Sequence, residues 1–254
     1  MQKKRLGWTV LVLVAAGMSM TAAAQTGAGA AKTDASSTNA ATPRRILILG
    51  DSMMQLLSHS LERELAGRPG VTATTFTSLA SGLARLDVFD WLGKMRSAMS
   101  EARPDAVIVG LGTNDKQALQ AEGSAVVQPG DPAWNKEYAR RVGEAMDILV
   151  NGGARQVIWM ELPDMRDERH QADAMEINAI LRQEAKLRPA IRIFDTKSLL
   201  SRKPGTFSPY LIGRTGMPVA VREGDGIHLS RAGADLTAAK LVSEMGFADL
   251  AVKP

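Results

Sequence analysis

The sequence predicts a three-layer α/β/α sandwich built on a parallel sheet, and three observations lead there. Short apolar runs bounded by breakers recur at 45–49, 105–109, 155–160 and 191–194, with a weaker one at 71–76; runs this continuous suit strands buried on both faces. Segments with helical spacing lie between them, at 53–66, 88–101, 134–151, 172–187 and 230–245, and such alternation implies a parallel sheet covered by helices. No internal repeat or second linker divides the 212 residues from Pro43 to Pro254, enough for one domain with a sizeable core.

Each element places something. The first run, Arg45-Ile46-Leu47-Ile48-Leu49, gives way at Gly50-Asp51-Ser52-Met53 to a helix, so a serine hydroxyl sits at the carboxyl end of a strand. The second run, VTATTF, leads to a loop containing Ser81-Gly82-Leu83, and the third, DAVIV, to Gly112-Thr113-Asn114-Asp115. RQVIWM and IRIF complete the sheet, and Ser230 is a natural N-cap for the last helix. Just before it stands Asp225-Gly226-Ile227-His228. Crossovers in parallel sheets are right-handed, and the loops at the carboxyl ends of the strands gather on one edge.

Ahead of the domain, residues 1–24 have a basic start (Lys3, Lys4, Arg5), an apolar stretch from Trp8 to Ala16 and a small-residue end, Ala22-Ala23-Ala24. This is the pattern of a secretory signal cleaved before Gln25, and the apolar stretch is shorter than the roughly 20 residues of a membrane span. The expectation is an exported, periplasmic or secreted protein, with no transmembrane helix in the mature chain. Residues 25–42 are small and polar and read as a flexible tether to a domain at 43–254. Without cysteine, neither lipid attachment nor a disulfide is available. Loss of Lys3, Lys4 and Arg5 takes the charge balance from 31 basic against 27 acidic residues to 28 against 27, which leaves no basic footprint for nucleic acid.

Serine, histidine, aspartate and asparagine are the parts of an acyl-transfer site. A serine hydroxyl needs a base, and histidine is the usual one near neutral pH. Of His59, His170 and His228, the first lies inside a helical stretch and the second in the charged run Arg166-Asp167-Glu168-Arg169-His170; only His228 has an aspartate three residues before it in a Gly-rich loop. Asp225 there can fold back on the imidazole and fix its tautomer. Asn114 offers a side-chain amide to an oxyanion, Gly82 a closely approachable backbone N–H, and Ser52 its own N–H. Three scattered histidines without cysteine make a poor metal set.

Ser52 in GDSM, Gly82 in SGL, Gly112 and Asn114 in GTND, and Asp225 with His228 in DGIH resemble, in order, the four blocks of the SGNH or GDSL hydrolase superfamily. The resemblance spans residues 50 to 228. It implies a flavodoxin-like parallel sheet, Ser52 as nucleophile, His228 as base, Asp225 as its orienter, and an oxyanion hole from Ser52, Gly82 and Asn114. The segments from Ser81 to Trp91 and from Pro218 to His228 are similar to a bacterial periplasmic branch known only as a domain of unknown function. That likeness implies an envelope protein acting on an acyl group of a glycan.

Two long connections, 116–134 and 202–224, are expected to wall the substrate site. In the second of them Tyr210, Arg214 and Arg222, and beside Gly82 Arg85, are candidates to contact a sugar or an anionic group; the alternative for such arginines is to bind loop backbone or a nearby aspartate. The function expected is a secreted serine esterase removing acetyl or another short acyl group from an envelope carbohydrate or related small ester, with no cofactor and no metal. The same residues serve an O-acyltransferase if a sugar hydroxyl replaces water. A lipase or thioesterase fits less well with connections rich in Gly, Pro, Arg and Gln, and a noncatalytic glycan-binding protein would not need all five residues.

Overall fold

The computed structural model of the protein describes residues 44–121, 125–203 and 205–246; the expected signal and tether lie outside the described residues. In chain order the elements are β1 (Arg45–Gly50), α1 (Ser52–Ala66), β2 (Thr72–Thr77), α2 (Trp91–Ala102) and β3 (Ala106–Gly110). There follow β4 (Leu119–Gln120), β5 (Val126–Val127), α3 (Pro132–Asn151), β6 (Gln156–Met160) and α4 (Glu168–Lys186). The chain continues with β7 (Ile191–Phe194), α5 (Thr196–Leu200), β8 (Tyr210–Ile212), β9 (Pro218–Ala220) and α6 (Arg231–Glu244).

Five strands pair in parallel in the order β2-β1-β3-β6-β7. The chain runs outward from β1 to β2, then returns across β1 to β3, so the order reverses between β1 and β3. That crevice is where α/β sheets of this kind place ligands. Gly50 is in register with Gly110, which brings the segments carrying Ser52 and Asn114 level at one edge.

Period-two alternation sorts the core. Leu47, Leu49, Val107, Val109, Val157 and Trp159 face α2, α3 and α4, while Ile46, Ile48, Ile108, Ile158 and Met160 face α1 and α6. The three central strands are buried almost throughout, as their unbroken apolar runs predict. The flanking strands β2 and β7 are only partly buried, because each has a neighbour on one side alone. The two long connections fold into small antiparallel hairpins, β4–β5 and β8–β9.

Helix starts follow aspartate caps rather than apolar spacing. Asp90 accepts from the Gly93 N–H, Asp131 from the Ala133 N–H, and Asp167 from the Arg169 and His170 N–H groups. These caps satisfy orphan first-turn donors, so α2 starts three residues later than its periodicity suggests and α3 and α4 two and four residues earlier. Ser230 caps α6 as expected, its hydroxyl accepting from the Gly233 N–H.

The start of α6 is pressed against the strand that leads to the His228 loop. A Cβ on Gly233 would lie 2.0 Å from the Val221 carbonyl oxygen, a backbone atom that cannot rotate away. Gly233→Ala is therefore expected to destabilise the fold by about 1–3 kcal/mol, the usual range for overpacking, measured as a lowered denaturant midpoint. An unchanged midpoint would mean that α6 moves off the strand freely.

Candidate active site

The position of Ser52 is built by close backbone approach. A Cβ on Gly50 would stand 2.4 Å from the Gly110 carbonyl oxygen and 2.5 Å from the Met54 Cβ, so only glycine lets the ends of β1 and β3 and the start of α1 converge. The Asp51 N–H donates to the Gly110 carbonyl at 3.0 Å. The Asp51 carboxylate turns back to accept from the Met53 N–H at 2.9 Å, capping α1. Ser52 is thus the first residue of the helix, half-buried on the edge where the strands end.

His228 reaches Ser52 from the loop before α6. Its Nε2 lies 2.9 Å from the Ser52 Oγ and its Nδ1 2.6 Å from the Asp225 Oδ2. With Nδ1–H donated to the carboxylate, the Nε2 lone pair faces the hydroxyl. The Asp225 Oδ1 accepts from the Ile227 and His228 N–H groups at 2.8 and 2.9 Å. Partial burial pushes this carboxyl up, but the His228 ring and those two N–H groups outweigh it and hold it down at about 2. Asp225 is ionised wherever the protein is folded near neutral pH.

The loop itself is clamped. Arg222 is buried and donates to the Asp164 and Ile227 carbonyls at 2.6 and 2.7 Å, with the Phe207 ring 5.1 Å from its guanidinium. Burial lowers its pKa to about 10, against the opposing charges of Asp225 and Asp164, so it remains cationic at neutral pH. Gly226 has φ +78°, and a Cβ there would meet the Arg166 side chain at 2.6 Å. The Arg166 guanidinium donates to the Gly224 carbonyl at 2.9 Å.

On the other side of Ser52 stands the turn from Ser81 to Ala84. The Asn114 amide donates to the Ser81 carbonyl at 3.0 Å, leaving its second N–H for another acceptor. Next in sequence, buried Asp115 accepts from the Ala84 N–H at 2.9 Å and from the Tyr138 hydroxyl at 2.7 Å. Arg141 donates to both the Leu83 and Ala84 carbonyls at 2.9 Å and pairs with Glu137 at 2.9 Å. The Trp91 indole N–H holds the Ser81 hydroxyl at 2.9 Å. Gly82 is buried, and a Cβ on it would sit 2.0 Å from the Asp115 Oδ1; its missing side chain makes room for that carboxylate.

Two clefts open at the pair. One of about 170 Å³ is bounded by Ser52, Asn114, Leu162, Met165, Ile227 and His228, with His170 and Asp173 on its wall. The other, of about 390 Å³, lies between α1 and the His228 loop. A hollow of about 1150 Å³ lies at the opposite edge of the sheet, lined by residues such as Arg45 and Asp105 at or just before the starts of β1 and β3, and shares no lining residue with these two clefts.

Of the sequence candidates, the fold brings Ser52, Asn114, Asp225 and His228 together, with Gly82 in the adjoining turn. Arg222 is a correction: it is spent on loop carbonyls and contacts no cleft, because Asp164 and Phe207 enclose it. Arg85 forms a surface pair with Asp87 at 2.7 Å and lines neither cleft. Tyr210 and Arg214 belong to the exposed β8–β9 hairpin and line neither cleft. His59 and His170, read as ordinary helix or surface residues, instead border the two clefts. Asp115 stands in the Gly112-Thr113-Asn114-Asp115 block but was given no role there, and Tyr138 and Arg141, which share a face of α3 three residues apart, were not singled out. Among the described residues no cluster of three or more His, Asp or Glu is placed to hold a metal ion.

A parallel sheet of order β2-β1-β3-β6-β7, helices on both faces and a Ser–His–Asp line at the switch point define a protein with the SGNH-like hydrolase fold. The chain belongs to the family described as protein of unknown function (DUF459), whose model matches residues 45–244. No curated protein matches it. Among solved structures it is similar to LAE5, an alpha/beta hydrolase enzyme from the metagenome of Lake Arreo, Spain: TM-score 0.56, 15% identity, 80% of this chain and 95% of that one. An acetyl xylan esterase from Geobacillus stearothermophilus gives a TM-score of 0.50 at 15% identity over 80% of this chain and 95% of that one. The salicylyl-acyltransferase SsfX3 from a tetracycline biosynthetic pathway gives 0.50 at 11% identity, over 84% of this chain and 58% of that one. At these identities the likeness is one of fold.

Burial pushes the Asp51 carboxyl up to about 7, opposed by the Met53 N–H and reinforced by the charge of Asp115. An acid raised in the folded state holds a proton that the unfolded chain releases, so stability is full below the unfolded pKa and falls as pH climbs from about 4 to about 7. Asp51→Asn keeps the cap acceptor and carries no charge. Relative to wild type, the variant should gain stability across that range, by up to about 1.4 kcal/mol per pH unit, read from urea midpoints at pH 4.5 and 8. A difference independent of pH would show that Asp51 titrates like a solvated carboxylate.

Proposed function

We propose that this protein is an exported serine esterase that removes acetyl or another short acyl group from an envelope carbohydrate or a related molecule, through an acyl-Ser52 intermediate. The observation that carries the proposal is the continuous line from the Asp225 Oδ2 through His228 to the Ser52 Oγ, at 2.6 and 2.9 Å. Ser52 Oγ attacks the acyl carbonyl as His228 Nε2 takes its proton, and Asp225 stabilises the imidazolium. The oxyanion is met by the Ser52 and Gly82 N–H groups and the free Asn114 amide N–H. His228 returns the proton to the departing alcohol, and water then releases the acid by the reverse sequence.

The acyl preference follows from size. The cleft that holds Asn114 is about 170 Å³, small beside the roughly 300–1,000 Å³ of pockets that enclose larger ligands. Leu162, Met165 and Ile227 suit the methyl end of a short acyl group rather than a long chain. Export rests on the signal pattern of residues 1–24. Among the described residues no helix is long and apolar enough to cross a membrane.

The test is hydrolysis of p-nitrophenyl acetate by protein beginning at Gln25. Ser52→Ala and His228→Ala should each lower kcat by roughly 10⁴-fold or more, and Asp225→Ala by somewhat less; retained turnover in Ser52→Ala would end the proposal. Asp225, which partial burial pushes up but His228 and the two N–H groups it accepts from hold down at about 2, should add no step of its own to the pH dependence of turnover above about pH 3; a difference between wild type and Asp225→Asn that grows as pH falls from about 6 to about 4 would contradict that.

Tyr138→Phe removes the hydroxyl that holds Asp115 against the Gly82 turn. It should lower kcat by about 10-fold with little change in KM, as expected for a group acting on the oxyanion turn rather than on the bound substrate. A change confined to KM would argue for a role in binding instead.

A further inference from the structure

The two clefts beside the nucleophile share Ser52 and His228 and no other lining residue. Asn114 lines only the smaller one. An ester bound for attack places its carbonyl oxygen on the Asn114 side. Its alcohol oxygen must lie within reach of His228 Nε2, which protonates it on departure. The other space that touches both catalytic atoms is the 390 Å³ cleft between α1 and the 222–229 loop.

The chemistry of that cleft narrows its occupant. Gln55 and His59, one turn apart on α1, and Glu223 from the facing loop are all exposed into it. They offer an amide, an imidazole and a carboxylate, a mixed set of donors and acceptors suited to hydroxyl groups. Met53, Leu56 and Leu229 supply an apolar floor for C–H faces. Among the described residues no lysine or arginine lines it, and Glu223 repels a negative charge. His59 is held loosely, its Nδ1 3.9 Å from the Glu62 carboxylate, so its ring is available to a ligand.

We infer that this cleft is the alcohol-binding half of the site and takes a neutral polyhydroxyl compound, with His59, Gln55 and Glu223 as its specificity-determining residues. The inference rests on the acyl-Ser52 reading above. It adds that a polyol in the cleft accepts the acyl group in competition with water. The acceptor hydroxyl gives its proton to His228 Nε2 as its oxygen bonds the acyl carbon. The bond from that carbon to Ser52 Oγ then breaks, and His228 returns the proton to Oγ, so the serine is regenerated and no other reactant is consumed.

The experiment uses the full chain, p-nitrophenyl acetate as donor and methyl β-D-glucopyranoside as probe, with acetylated glucoside and free acetate measured together. Both products come from one acyl-enzyme, so their ratio is independent of how much protein is folded or how fast it is acylated. The ratio should rise with glucoside and saturate. His59→Leu and Gln55→Leu should each lower it at least about 5-fold, as loss of a ligand hydrogen bond does. Methyl glucuronide, which adds a carboxylate, should give a ratio at least about 5-fold below that of the glucoside. A ratio that ignores glucoside, is the same in the variants, or favours the glucuronide overturns the inference while leaving the esterase reading intact. Absence of p-nitrophenol above the Ser52→Ala control overturns both, and is told apart by the missing first product.

Discussion

Asp115 sits with its carboxylate in the space where Gly82 has no side chain, and the geometry of one whole side of the site hangs from that contact. The turn from Ser81 to Ala84 has no regular secondary structure to hold it. Asp115 accepts from the Ala84 N–H, Tyr138 fixes the far oxygen of Asp115, and Arg141 takes two carbonyls of the same turn. Buried polar groups are expensive when unmatched and rigid when fully matched, so a turn bound from α2, α3 and the β3 loop has few alternative positions. That rigidity is what preorganised N–H donors require, since donors that must reorganise during reaction contribute little.

The opposite side solves the same problem with cations. The loop from Arg222 to Leu229 closes on itself through a bridge between those two residues and an N–H from Glu223 to the His228 carbonyl at 2.9 Å. Arg222 anchors it from beneath by binding the Asp164 carbonyl. The buried Asp164 side chain gathers Gln171, Ser201 and Gly205, at 2.9, 3.0 and 2.9 Å. One aspartate therefore joins α4, the end of α5 and the segment that follows it to the loop carrying the base. The imidazole is placed by three parts of the chain that are distant in sequence, although Asp225 and His228 are only three residues apart.

This division explains what was legible in the sequence. Strands β1, β3 and β6 announce themselves because burial on both faces demands unbroken apolar runs, and Ser52, Asn114, Asp225 and His228 stand at element ends where their neighbours are glycine and aspartate. The helix starts were misplaced because a single capping hydrogen bond, invisible to apolar periodicity, decides them. Arg222 is a candidate substrate contact in the sequence because an arginine in a Gly-rich loop looks the same whether it meets solvent or is enclosed by Phe207 of its own connection and Asp164 from a distant one. His59 and His170 carry no local signal at all; only the packing of α1 and α4 around the strand ends brings them to the clefts.

The electrostatics behind the nucleophile join these threads. Asp51 and Asp115 are fully buried close enough to raise each other's cost of ionisation, next to the residues where a negative oxyanion would form. Two bare carboxylates there would oppose that charge. Burial instead pushes Asp115 upward, against the Ala84 N–H, the Tyr138 hydroxyl and the charge of Arg141, and pushes Asp51 up to about 7. The Asp51 Oδ1 accepts from the Met53 N–H at 2.9 Å, so this carboxyl serves as the cap of α1. Burial of Asp51 and Asp115 thus favours their neutral forms around Ser52, while Asp225, held down at about 2, keeps its charge on the far side of the imidazole, where the proposed mechanism would use it to stabilise the imidazolium.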